Sequence, residues 1–457
     1  MLRTIKYHVV LVKRTISSDL LRHKLAESLA SPVGELTRRD LRLPQIAGKA
    51  FAVIGVRRGG KTSFLRHRIA EHVADGRPRE SQLLVTLEDE RLTGMNAADL
   101  GWLLDEHTRQ YPGLREQGTT SIYLDEVQTV PGWETLVRRL VDTGGIEVFV
   151  SGSSAKLLSR EVATSLRGRA MEVLVHPFSF RETLRHAGQE PTKTWQRLGP
   201  PARSALDAAL RSYMEVGGFP EAQGAERGDR LSLLKGYVDV MVLRDVIERH
   251  NVSNPHALRW LQRQLLSTPG GGFSIKKLYD SLRSQGVPVA KDTLHAYLDH
   301  LQDAFLVRTV GMHSTSERQR MLNPRKSYPI DPGLIPLYER AGREHRGRAL
   351  ETVVMLELER RGYKTEWVRT PEGYEVDFLA QRAGAAPLLV QVCLDTTADE
   401  TWEREVRAMV DASRAHPEAR ALLVTLDSTP PGRNLPAPIE WRAAARWLLE
   451  TSDTTSG

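Results

Sequence analysis

The stretch FAVIGVRRGGKT at residues 51–62 decides how the rest of this 457-residue chain is read. A short apolar run, Phe51 to Ile54, meets a glycine-rich turn, and an amphipathic helical pattern follows from Ser63 to Val73. Residues 55–62 satisfy G-x-x-x-x-G-K-[ST]. Gly55, Gly59 and Gly60 let the backbone curl so that its N–H groups face an anion. The start of the following helix adds a positive dipole end at the same point. In such a P-loop Lys61 reaches the outer phosphates of ATP and Thr62 ligates Mg2+. Val56, Arg57, Arg58 and Ser63 complete the expected nucleotide-binding segment. Two readings stay open for the arginines: contact with phosphate, or side chains turned outward to solvent or a neighbour.

Further apolar runs lie at Leu83 to Leu87, Ser121 to Leu124 and Ile146 to Val150, with helical segments between them. Strands alternating with helices predict a mainly parallel sheet covered on both faces. The second run ends in Asp125-Glu126. Ligands gather at the carboxyl ends of parallel strands. Asp125 is therefore placed to hold the magnesium shell. Glu126 is placed to orient or deprotonate an attacking water, which argues for hydrolysis and not binding alone. The third run ends in Ser151-Gly152-Ser153-Ser154. Ser151 is the preferred sensor of the γ-phosphate; the other reading is a turn that caps the next helix. Arg167-Gly168-Arg169 offers an arginine finger, with Arg169 the candidate, acting in its own chain or on a second copy in a homo-oligomer. The alternative is surface salt bridges.

Composition bounds these readings. The length favours two to four domains. A hydrophobic content of 40% suits a folded body. No apolar run approaches the ~20 residues that a bilayer crossing needs. The run Val9 to Val12 is too short for a signal peptide. Cys393 is the sole cysteine, which excludes an internal disulfide framework. The expectation is a soluble, cytoplasmic protein with no membrane partner. The net charge of +7 invites a nucleic-acid reading, but arginine supplies 51 of the 64 basic residues and is well mixed with acids. No internal repeat is found.

Further motifs accompany GVRRGGKT: LEDERL at 87–92, YLDEVQ at 123–128, SGSS at 151–154, SLRGR at 165–169 and HPFSFRE at 176–182. GGFPEA at 217–222, KSYPID at 326–331, YEVDF at 374–378 and VQV at 390–392 follow. In this combination, from roughly 45 to 430, the chain resembles the bacterial and archaeal AAA-superfamily ATPases with a characteristic C-terminal domain of unknown function. The resemblance implies an α/β fold class. Its parts are a P-loop NTPase core, a helical lid, a winged-helix module and a C-terminal α/β domain similar to restriction endonucleases. The expected boundaries are a helical segment at 1–45, the core at 46–180, the lid at 181–265, the winged helix at 266–335, the C-terminal domain at 340–450 and a tail at 451–457. Gly218-Phe219-Pro220 also resembles the Gly-x-Pro of signalling ATPases, whose proline packs near adenine. That makes Pro220 a candidate nucleotide contact; a helix stop followed by a turn fits equally.

Two downstream segments bear on partners. Residues 273–330 have a helix-turn-helix rhythm, with Ile275, Leu278 and Leu282 on one face and Leu294, Tyr297, Leu298 and Leu301 on another. Nine Lys/Arg against five Asp/Glu give this segment a local excess of four cations. In DNA readers the second helix enters the major groove, and here it offers Lys291, Asp292, Thr293 and His295. Glu351, Asp377 and Gln391-Val392-Cys393 stand in the order of a restriction-endonuclease-like core. Such a site needs an acid where Gln391 stands and a lysine where Cys393 stands. The expected function is an ATPase that uses its nucleotide state to move the lid, winged helix and C-terminal domain. The alternatives are an ATP-regulated DNA-binding protein and, further off, a nuclease.

Overall fold

The computed structural model describes residues 16–450 apart from 33, 35, 115, 116, 119, 153–165, 167, 317, 320–322 and 339–344. Val9 to Val12, Ser153, Ser154, Arg167 and the tail at 451–457 therefore lie outside the described residues. The chain divides into two compact units. The first comprises Met1–Leu36, Leu41–Ile54 and Lys61–Leu174; the second comprises Thr37–Asp40, Gly55–Gly60 and Val175–Gly457. No helix among the described residues is long and apolar enough to cross a membrane.

The first unit is built on five parallel strands: β1 (Ala50–Ile54), β2 (Gln82–Thr86), β3 (Thr120–Asp125), β4 (Ile146–Ser151) and β5 (Ala170–Leu174). Their order is β2-β3-β4-β1-β5. Every residue of β1 is buried, as an apolar run between two covered faces must be. The rings of Phe51, Phe149 and Tyr123 stack across β1, β4 and β3 with centroids 4.8 Å apart in each pair. The three predicted runs are strands, each shifted by a residue or so, and β3 and β4 reach far enough to include Asp125 and Ser151. Helix Ser18–Ala30 covers the sheet's β2 edge, where the Leu84 N–H donates to Ser28 Oγ at 3.2 Å. An open edge strand is thereby given a partner. The LEDERL motif holds that helix in place: Lys24 donates to Asp89 at 2.7 Å and Arg91 reaches Glu27 at 3.1 Å.

The second unit continues with helices Phe180–His186, Pro200–Val216 and Arg227–Val240, a π-helical turn Met241–Glu248, and helix Pro255–Ser267. Next come helices Ile275–Ser284 and Lys291–Asp303 with a small antiparallel sheet. Its strands β6 (Gly272–Phe273), β7 (Val307–Gly311) and β8 (Arg325–Pro329) are ordered β6-β8-β7. Helix His345–Arg360 leads into a five-stranded sheet of β9 (Lys364–Arg369), β10 (Glu375–Gln381), β11 (Leu388–Cys393), β12 (Arg420–Thr425) and β13 (Ile439–Ala443). The first three strands are antiparallel and the last three parallel. Helix Asp399–Ala415 packs on this sheet through Trp402, Ala408, Met409 and Ala412.

Three motifs meet in the second unit at one buried point. The Asp331 carboxylate accepts from Gly218 N at 2.7 Å and Gly333 N at 2.9 Å. Phe178 N donates to Gly218 O at 2.7 Å, and the Tyr213 hydroxyl donates to Phe178 O at 2.8 Å. A Cβ on Gly218 would lie 2.0 Å from Phe178 O, and one on Gly217 would lie 1.8 Å from Asp331 Oδ1. Glycine is needed here because backbone fills the space a side chain would take. Gly236, inside helix Arg227–Val240, meets nothing within 4 Å. Gly218→Ala is expected to lower stability by ~1–3 kcal/mol or more, as overpacking does. Gly236→Ala is expected to be neutral or to stabilise by up to about 1 kcal/mol. Parallel thermal melts check the pair; equal behaviour of the two variants would refute the packing argument.

Candidate functional site

In the first unit, strand pairing brings the acidic end of β3 beside the polar end of β4, with Leu124 opposite Val150. Asp125 is 2% exposed, and both carboxylate oxygens accept from hydroxyls. Ser151 Oγ donates to Oδ1, and Thr62 Oγ1 donates to Oδ2 at 2.7 Å. Ser151 Oγ in turn accepts from Glu126 N at 3.2 Å. Glu126 is half-buried with φ of 55°, a left-handed conformation that turns the chain sharply off the strand. Its carboxylate accepts from Gln128 Nε2 at 2.5 Å. Lys61 opens helix Lys61–Ala74 and is buried, while Ser63 beside it is exposed. Thr62 and Asp125 thus form a contacting pair of hard oxygen donors, the kind Mg2+ takes.

Arg169 stands apart from this group. It precedes β5, whose Ala170 pairs with Ala50 at the amino end of β1. Asp125 and Ser151 end their strands at the carboxyl edge of the same parallel sheet, roughly 16 Å away for a strand of this length. The Arg169 side chain pairs with Asp142 at 2.6 Å, and both are partly exposed.

In the second unit, residues 55–60 curl with φ of 150° at Gly55, 64° at Arg58 and 99° at Gly60. A Cβ on Gly55 would sit 2.2 Å from Val175 O. Val56 is fully buried, and its carbonyl accepts from Gly59 N at 3.1 Å. Both loop arginines pair with carboxylates of the second unit. Arg57 donates to both oxygens of the buried Asp245 at 3.2 Å, a bidentate pairing. Arg58 donates to Glu221 at 2.9 Å, and the Tyr237 hydroxyl donates to the same carboxylate. Pro220 lies 3.8 Å from where a Cβ on Gly60 would stand. Arg39, which the sequence reading missed, donates to Gly59 O at 3.3 Å and His176 O at 2.5 Å and pairs with Glu182 at 3.0 Å. Nothing in the sequence marks it: it stands in an arginine-rich stretch, Arg38-Arg39 with Arg42, outside every motif.

The C-terminal residues of the nuclease-like order also come together. Antiparallel pairing sets Asp377 beside Gln391, with Asp377 N donating to Gln391 Oε1 at 3.2 Å. Lys326, one of the nine Lys/Arg of residues 273–330, is withheld from any DNA-facing surface by its burial. It is 3% exposed and lies 3.2 Å from Glu351, 3.2 Å from Asp377 and 2.7 Å from Glu375. Burial works against its charge, but the three carboxylates outweigh it and raise its pKa above the ordinary lysine range. Lys276, Lys277 and Lys291 are exposed. Elsewhere in this unit His250, His300 and Asp303 cluster, but the two rings stack 3.7 Å apart at 9°. Lone pairs in two parallel planes do not converge on one ion.

Residues 47–184 match a family model described as an AAA domain, and residues 207–342 match one described as a domain of unknown function (DUF8612). The chain is 32% identical to an uncharacterized protein of Methanocaldococcus jannaschii over 378 residues, 82% of this chain and 81% of the relative. It is 31% identical to an uncharacterized protein of Haemophilus influenzae over 347 residues, 75% of this chain and 82% of the relative. Among solved structures, a Walker-type ATPase of Pyrococcus abyssi aligns with a TM-score of 0.35 at 17% identity, covering 71% of this chain and 96% of that one.

Cys393 gives a direct check of this geometry. It is buried, and burial pushes its thiol up to about 11. Since the thiolate is the reactive form, the native chain at pH 8 should react with Ellman's reagent roughly 100-fold more slowly than the unfolded chain. Immediate labelling of the native protein would contradict the placement.

Proposed function

Because this chain belongs to the family of AAA-superfamily P-loop ATPases with a further domain of unknown function, we propose that it binds ATP with Mg2+ on residues 55–62 and hydrolyses it. The observation that carries this reading is the 2.7 Å contact between Thr62 Oγ1 and Asp125 Oδ2, which joins the end of the phosphate loop to the end of β3. Thr62 and Asp125 would hold Mg2+, which supplies charge neutralisation at the outer phosphates when bound. Lys61 binds the same phosphates as a point charge. Glu126, oriented by Gln128 and by its own left-handed backbone, takes the proton of the attacking water. Ser151 is a positioning residue that orients Asp125 and the Glu126 amide. Pro220 is assigned to packing against the nucleotide, and Arg169 to a role toward a second copy.

The same reading extends to a nucleotide-driven switch. Arg57 and Arg58 are held by Asp245 and Glu221, within the 220–248 stretch of the second unit. A triphosphate at the loop competes with those carboxylates for the guanidinium groups. A contact that differs between nucleotide states is what a switch requires. A second reading, ATP-regulated DNA binding by the two helices and small sheet of residues 272–329 as a winged helix, is favoured by the exposure of Lys276, Lys277 and Lys291.

Lys61→Ala is expected to lose ATP binding. Glu126→Gln should keep binding while turnover falls by at least about 100-fold. Nucleotide titration and phosphate release measure the two; a Glu126→Gln variant that hydrolyses like the parent removes Glu126 as the base. For the second reading, DNA affinity should fall with salt and weaken when Lys276, Lys277 and Lys291 are neutralised. Unchanged affinity in that triple variant dismisses it.

A further inference from the structure

A restriction-endonuclease-like arrangement implies a divalent ion between the acids that correspond here to Glu351 and Asp377. The residues present do not fit one. The Lys326 ammonium already lies against both acids and against Glu375. Other donors hold the same two acids, one sharing the Glu351 oxygen that Lys326 contacts and one on the second oxygen of Asp377. Tyr328 donates to Glu351 Oε1 at 2.7 Å, and Val392 N donates to Asp377 Oδ2 at 3.0 Å. Gln391 spends its carbonyl on Asp377 N and its amide on Glu405. The glycine run after Pro269 closes the remaining side. Gly270 N donates to Ser327 O at 2.8 Å, and a Cβ on Gly270 would sit 2.6 Å from Glu351 Oε2. An arriving divalent ion would have to share these oxygens with a buried ammonium, and like charges at such range repel strongly.

We propose that Lys326 stands in the place of the metal, so that the Glu351–Glu375–Asp377 cluster is a receptor for a lysine of this same chain and not a divalent-ion site. The geometry of β8 supports it. Lys326 and Tyr328 alternate with Ser327, so both face the acids, while Ser327 Oγ donates to Leu265 O at 3.0 Å on the other side. Just past the strand, Asp331 makes the bonds to Gly218 and Gly333. The C-terminal sheet thus fixes by charge the strand that leads into the buried meeting point of the motifs. One lysine contributes the anchor, and its presence removes the nuclease chemistry.

The test is Mn2+ binding to the full-length, nucleotide-free chain, read by electron paramagnetic resonance. Any ion held at Thr62 and Asp125 is common to all variants. Wild type and Asp377→Asn should bind the same number of ions. Lys326→Ala, or the better-filling Lys326→Met if the alanine variant does not fold, should gain one Mn2+, and adding Asp377→Asn should remove it. Wild type binding an ion that Asp377→Asn loses would overturn the proposal, and so would a folded neutral variant that gains none. If neither neutral variant folds, the comparison of wild type with Asp377→Asn decides alone.

Discussion

A carboxylate buried at the end of a parallel strand must find donors, and Asp125 meets that constraint in a way that orders the first unit. Desolvating a charge costs several kcal/mol unless hydrogen bonds replace the lost water. Asp125 takes one hydroxyl from the helix after the phosphate loop and one from the neighbouring strand. These two bonds fix the register between β3, β4 and helix Lys61–Ala74 at the carboxyl edge of the sheet. They also account for the serine that ends β4. Ser151 is held by Asp125 and accepts from Glu126 N, so its first task is to set the acids. Neither reading drawn from sequence, phosphate sensor or turn cap, included that.

The second unit solves a backbone problem by a similar economy of polar groups. Gly217 and Gly218 bring two chain segments so close that only a bare backbone fits, and the freed amide needs an acceptor. Asp331 supplies it, although burial pushes its carboxyl up to about 6. Arg360 donates to Pro177 O at 3.2 Å beside this point, adding the helix that begins the C-terminal domain. The HPFSFRE, GGFPEA and KSYPID motifs are therefore one structural object written in three places. Their spacing along the chain conceals that they share a single set of hydrogen bonds.

That concealment explains what could be read from sequence and what could not. The phosphate loop, β1 to β4 and the helix pairs depend on local pattern, and local pattern marks them. β5 carries the exposed Glu172 at its centre and is only partly buried, so no apolar run announces it, and its absence left Arg169 without a place in the sheet. Arg39 and Lys326 act through partners far along the chain: Arg39 meets His176 and Glu182, and Lys326 meets Glu351 and Asp377. Such pairings carry no periodicity. The run Thr268 to Gly272 has the composition of a linker, yet Gly270 is packed against an acid. The lost nuclease lysine was visible at Cys393, but the ammonium in the acid cluster lay 67 positions earlier, on another sheet.

The two acid clusters make the functional distinction in chemical terms. Both place a buried aspartate of a β-strand, Asp125 or Asp377, against donors from other elements. The hydroxyls on Asp125 are neutral and can turn to become ligands beside it, so the cluster can accept a cation without expelling a charge. The ammonium on Glu351 and Asp377 is itself the cation, and admitting another means withdrawing a lysine from a buried position among three carboxylates. Identical acids are thus committed to different tasks by the group that satisfies them. In this chain it is that group, and not the acids, that tells the two clusters apart.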